Sequence, residues 1–139
     1  MTNVRVTKRY EDMTAATMWD RIGNPASLAS WHPGVETTEL IDGGRTRINT
    51  VAGGAQVVEP IVEQAEHHYT FRIAESPLPL ADFQSTLRVR DDDGHACVVE
   101  WDAAFKAKDV SEAEATALVR GFFQAGLDAL VASAPSGRS

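Results

Sequence analysis

The chain reads as an α+β domain in which a curved seven-stranded antiparallel sheet wraps a long C-terminal helix, with two short helices between the first two strands. Three observations carry this reading. Between residues 35 and 106 six strand-like runs follow one another with turn chemistry at every break. Residues 111–133 place apolar side chains at helical spacing, and a lone strand followed by short helical stretches precedes the six. Consecutive strands joined by short turns form a meander with one face left to cover, and the long helix is the element able to cover it.

The elements follow in order. Val4, Val6 and Thr7, with the alternation up to Tyr10, give an opening strand. Ala15 to Ile22 forms a short helix that Gly23-Asn24-Pro25 interrupts, and Ala26 to Ser30 forms a second that stops at Trp31-His32-Pro33-Gly34. Strands are expected at 35–41, 44–52, 55–65, 69–75, 82–90 and 96–106. Their breaks are Asp42-Gly43-Gly44, Gly53-Gly54, the His67-His68 corner, Ser76-Pro77-Leu78-Pro79 and Asp91-Asp92-Asp93-Gly94. Ser111 with Glu112 and Glu114 caps the last helix, where Val119, Phe122, Phe123 and Leu130 face the sheet. One domain spans 1–134, and 135–139 is expected to be a short disordered tail.

Composition excludes several classes of function. A chain of 139 residues with 43% hydrophobic content supports one core, and a net charge of -7 without a local basic patch argues against nucleic acid or an anionic membrane as partner. Cys97 is the sole cysteine, so there is no internal disulfide and no cysteine-rich zinc site. The opening MTNVRVTKRYED lacks the apolar core of a signal peptide, which sets the expected location as cytoplasmic. His67-His68 lacks companions at metal-ligand spacing, and the Asp91–Gly94 run lacks the distal ligands of a calcium loop, so no metal is assigned. Phosphate-binding loops and nucleophile elbows are likewise missing.

The informative pair is Arg47 and Glu59, set about Gly53-Gly54 in a hairpin. A three-residue turn centred on Gly53 makes them direct cross-strand partners on one sheet face. A two-residue Gly-Gly turn instead puts Pro60 opposite Arg47 and sends Glu59 to the other face. As an exposed ion pair they would contribute about 0–1 kcal/mol. Turned inward they would need an explanation, of which a binding or catalytic site is one, since buried charges are costly even when paired. The inward phases elsewhere are Tyr69, Phe71 and Ile73; Phe83, Ser85, Leu87 and Val89; and Cys97, Val99, Trp101, Ala103 and Phe105. Such an aromatic and apolar lining with a few polar atoms is that of a small-molecule pocket.

Taken in order, Trp31-His32-Pro33, Gly44-x-x-Arg47, Val58-Glu59, Tyr69-x-Phe71-x-Ile73, SPLPLADFQSTLRV at 76–89, Val99-Glu100-Trp101 and Gly126-Leu127-Asp128 resemble the START-like, helix-grip proteins of the SRPBCC or polyketide cyclase/dehydrase family. The likeness covers nearly the whole chain and is greatest to bacterial relatives of lachrymatory factor synthase. It implies that Arg47 and Glu59 both lie inside the cavity, where the synthase uses an Arg and a Glu in rearranging a small sulfenic acid. More distant resemblance to plant abscisic acid receptors implies that 51–55 and 76–81 close over ligand. The chain departs from these relatives at Phe83, where they commonly carry a tyrosine, so a phenolic proton donor is lost there.

The expected function is binding of a small hydrophobic ligand, a polyketide, lipid or similar molecule, in an internal cavity by a carrier or sensor that acts as a monomer or homodimer. Trp31, His32, Tyr69, Phe71, Phe83, Trp101 and Phe122 are the expected ligand contacts. Plain core roles for Trp31 and Trp101, and a capping or surface role for His32 in place of a proton carrier, are the competing readings. The alternative function is a cofactor-independent cyclase, dehydratase or isomerase with Glu59 as acid/base and Arg47 as oxyanion stabiliser.

Overall fold

The computed structural model describes residues 1–133; the expected tail at 135–139 lies outside the described residues. The elements are β1 (Thr2–Glu11), α1 (Ala15–Ile22), α2 (Leu28–Trp31), β2 (Val35–Ile41), β3 (Thr46–Val51), β4 (Gln56–Ala65), β5 (His68–Arg72), β6 (Leu80–Asp92), β7 (Ala96–Ala107) and α3 (Glu112–Ser133). The strands form one antiparallel sheet in the order β1-β7-β6-β5-β4-β3-β2. Thus β2 through β7 make the meander, and β1 closes on β7 at its far side.

Local chemistry sets the boundaries. Thr14 caps α1 by accepting from Thr17 N–H at 3.1 Å. The second helical stretch differs from expectation at both ends: Asn24 accepts from Ala26 N–H at 2.9 Å and starts a 3-10 turn at Pro25–Ser27, so α2 begins at Leu28 and takes in Trp31. In the β3–β4 hairpin Gly53 and Gly54 hold φ of 96° and 91°, which only glycine adopts freely, and Arg47 pairs directly with Glu59. The three-residue turn is therefore the one formed. The strand expected at 69–75 ends at Arg72. Beyond it Ala74 N–H bonds Val58 O and Val58 N–H bonds Glu75 O, both at 2.8 Å, so the chain leaves β5 to reach across to β4.

The long helix α3 opens with a reciprocal cap: Ser111 Oγ accepts from Glu114 N–H at 3.0 Å and Glu114 Oε1 accepts from Ser111 N–H at 3.1 Å. Two buried side chains fix its position by donating to its carbonyls, Tyr10 Oη to Leu127 O and His32 Nε2 to Phe122 O, each at 2.7 Å. The approach is close at Gly126, where an added Cβ would sit 2.6 Å from His32 Cδ2. Val119, Phe123, Leu127 and Leu130 are buried against the sheet, and the Phe123 ring stacks on Trp101 at 4.4 Å. Phe122 lies on the sheet-facing side as expected but is only half-buried, stacked on the His32 ring at 4.0 Å and set edge-on to Trp101 at 5.8 Å. The helical rotation between neighbouring residues allows only one of the two rings the central position.

This helix phase predicts a hierarchy of mutational costs. Phe123→Ala should destabilise by about 3–5 kcal/mol, as for a fully buried aromatic. Phe122→Ala should cost clearly less, since its ring is already part-exposed. Urea denaturation of the two variants checks the order, and equal or inverted costs would contradict the packing.

Candidate functional site

A cavity of about 220 Å³ lies between the concave sheet and the N-terminal half of α3. Its wall takes Asn49 and Val51 from β3, Val57 and Glu59 from β4, Phe71 from β5, and Leu80 and Phe83 from β6. Leu118, Val119, Phe122 and Phe123 close it from α3, and Gly34, Ala52, Ile73 and Leu78 complete the rim. The β3–β4 and β5–β6 connections thus flank the mouth together with Leu118, which is 41% exposed. Asn49 and Glu59 are the polar side chains on an otherwise apolar wall.

Glu59 is held from behind. Its Oε1 accepts from Arg47 Nε at 2.8 Å and from Asn49 Nδ2 at 2.9 Å. Arg47 Nη2 lies 2.5 Å from the same oxygen as an ion-pair contact without hydrogen-bond alignment. Arg47 Nη1 donates to Pro25 O at 3.0 Å and to Tyr69 Oη at 2.9 Å, and the guanidinium carbon sits 4.6 Å from the Phe71 ring centre. Asn49 is oriented in turn by Thr38, whose Oγ1 donates to Asn49 Oδ1 at 2.8 Å and accepts from Ala29 N–H at 3.0 Å. Among the described residues no hydrogen bond reaches Glu59 Oε2, the oxygen left for the cavity.

The pair divides the labour. Arg47 is fully buried and is not on the cavity wall, so it stands one layer behind Glu59 and reaches a ligand only through it. Burial pushes the Glu59 carboxyl above the ordinary glutamate range, while the Arg47 charge and the hydrogen bonds from Arg47 and Asn49 hold it down. Burial likewise raises Tyr69. A carboxyl so placed can exchange a proton with a bound molecule.

The remaining expected contacts separate into two groups. Phe71, Phe83 and Phe122 line the cavity; Trp31, His32, Tyr69 and Trp101 do not. Trp31 and Trp101 pack against each other at 5.6 Å within the core. His32 accepts from Gly34 N–H through Nδ1 at 2.9 Å, which puts its proton on Nε2 for Phe122 O, and burial lowers its pKa. It is a neutral brace between the α2–β2 loop and α3. Asn49 escaped sequence reasoning, although it shares the inward phase of Arg47 two residues away. Leu78, Leu80 and Leu118 escaped it as well: Leu78 lies in a loop, Leu80 at the start of β6 two residues ahead of the expected strand, and Leu118 on a helix flank. No group of three or more His, Cys, Asp or Glu side chains among the described residues could hold a metal.

Comparison with known proteins places this architecture. The model of the family described as polyketide cyclase/dehydrase and lipid transport matches residues 1–135, and the chain belongs to that family. No curated protein matches. Among solved structures the protein XoxI from Bacillus cereus is 28% identical over 96% of this chain and 95% of its own, with a TM-score of 0.93. A START superfamily protein from Mycobacterium smegmatis is 12% identical over 94% of each chain, with a TM-score of 0.79. The Zhui aromatase/cyclase from a Streptomyces species is 15% identical over 94% of this chain and 89% of its own, with a TM-score of 0.73. The latter two share the fold, which is the START-like helix grip.

The ion pair yields a pH-dependent prediction. Because the folded pKa of Glu59 is raised above its ordinary 4.5, its proton-linked contribution to stability is complete below that value and is lost as pH rises through the folded pKa. Glu59→Gln should flatten this part of the stability profile. Arg47→Met should push the Glu59 pKa higher still and destabilise by about 3–5 kcal/mol near neutrality, with the loss shrinking as acid neutralises the carboxyl. Denaturation at a series of pH values checks both, and a pH-independent Arg47→Met cost would refute the coupling.

Proposed function

We propose that this member of the polyketide cyclase/dehydrase and lipid transport family binds a small hydrophobic molecule in the cavity between its sheet and α3, as a carrier or sensor. The observation that carries the reading is an apolar, aromatic-walled cavity with a single polar corner at Glu59 and Asn49. Apolar walls supply affinity and a few placed polar groups fix orientation. At about 220 Å³ the cavity falls below the ~300–1,000 Å³ usual for drug-sized ligands, which favours one or two rings over a long acyl chain or a multi-ring polyketide. Solubility in the apolar interior, rather than a charged anchor, supplies most of the binding energy, since Arg47 is withheld behind Glu59.

One observation favours a second reading, acid/base catalysis. Among the described residues Glu59 is the titratable group on the wall and no hydrogen bond reaches its Oε2, and burial raises its carboxyl. In that reading Arg47 positions Glu59 and tunes its proton affinity, a different role from contact with a substrate oxyanion. An aromatase/cyclase of the same fold makes such chemistry compatible with the architecture. Glu59→Gln then abolishes turnover while leaving affinity within about tenfold, or ~1.4 kcal/mol.

The binding reading predicts that protein purified from its own cells carries a small molecule detectable by native mass spectrometry. Val119→Trp, which projects an indole into the cavity from α3, should lose that molecule and weaken uptake of ring compounds at least tenfold while the protein remains folded. Undiminished binding in Val119→Trp, or a wild-type chain that takes up no hydrophobic ring compound, would overturn it.

A further inference from the structure

Among the described residues, none of the side chains on the cavity wall is cationic. The nearby cation, Arg47, is enclosed, with Nε and Nη2 on Glu59 Oε1 and Nη1 shared between Pro25 O and Tyr69 Oη. A ligand carboxylate entering the cavity would give up its water and meet Glu59 Oε2, with no cationic donor on the wall to replace that water. A ligand ammonium fares little better, because Arg47 already balances the Glu59 charge and the pair as a whole is neutral. What the wall does present is one unengaged carboxyl oxygen beside the amide of Asn49. One N–H of that amide is on Oε1, and the described residues supply no partner for the other. An acceptor and a donor side by side match a group that both gives and takes a hydrogen bond.

We propose that the cavity selects a neutral, ring-sized molecule bearing a hydroxyl, a phenol or cyclic alcohol. Its O–H is set on Glu59 Oε2, its oxygen on the Asn49 amide, and its ring lies among Phe71, Phe83 and Phe122. This rests on the reading of the cavity as a binding site and specifies its ligand class. The apolar rings exclude water around the hydroxyl, which strengthens its hydrogen bonds and makes a mismatch expensive. Carboxylates of the same shape are rejected.

Three ring-matched probes test the proposal by calorimetric titration of the wild-type chain near neutral pH: 2-naphthol, naphthalene and 2-naphthoate. The expected result is binding of 2-naphthol at least tenfold tighter than either of the others. In Glu59→Gln the buried Arg47 loses its counter-charge, so affinity for 2-naphthoate should rise at least tenfold. Naphthalene or 2-naphthoate binding as tightly as 2-naphthol to wild type would overturn the specificity and leave the binding site standing. Failure of all three to bind would overturn the binding reading and this inference with it. An unchanged 2-naphthoate affinity in folded Glu59→Gln would remove Glu59 as the discriminating group. The three-probe comparison needs only the wild-type chain and holds whatever the substitution does to folding.

Discussion

The contact between Arg47 and Glu59 organises the interior around it. The turn before α2 meets this pair through Pro25 O, β5 through Tyr69 and β3 through Asn49, which Thr38 of β2 and Ala29 N–H of α2 hold in turn. An apolar core of the same volume would stabilise the fold as well or better, because removing two charges from water costs more than their attraction commonly returns. The pair is therefore best understood by what it sets up, a carboxyl held by one oxygen with the other turned to a cavity.

The surroundings of α3 change along its length in step with this arrangement. Toward its C-terminal end Phe123, Gly126, Leu127 and Leu130 are buried, tethered by Tyr10 and His32 and stacked on Trp101. Toward its start Leu118, Val119 and Phe122 stand off from β3 and β4 and leave the cavity. The same helix thus supplies the rigidity of the grip and one wall of the site. His32 joins the two regions, since its neutral ring ties Gly34 on the cavity rim to the Phe122 carbonyl.

Much of the fold was legible because its cues are local. Alternation placed Tyr69, Phe71, Phe83 and Trp101 inward, and Gly53-Gly54 narrowed the hairpin to two registers, of which the three-residue turn forms. The site was legible only in part. That Arg47 stands behind Glu59 depends on Pro25 O and Tyr69 Oη, partners twenty-two residues away in either direction that no spacing rule brings together. Ala74 and Glu75 left β5 for the same reason, hydrogen bonds to Val58 of β4. Trp31 and Trp101, expected at the ligand, pack ring against ring in the core away from the cavity wall, where large aromatic surfaces gain most from burial.

The central claim is that Glu59 is a buried carboxyl presented to the cavity with Arg47 at its back. Carbon-detected NMR titration of the Glu59 side chain, in the empty protein and with 2-naphthol bound, tests it most directly. The account predicts a midpoint above the ordinary glutamate value of 4.5 and a Glu59 carboxyl signal that responds to the bound molecule more than any other carboxyl does. A midpoint at or below that value, unaffected when the cavity fills, would contradict it.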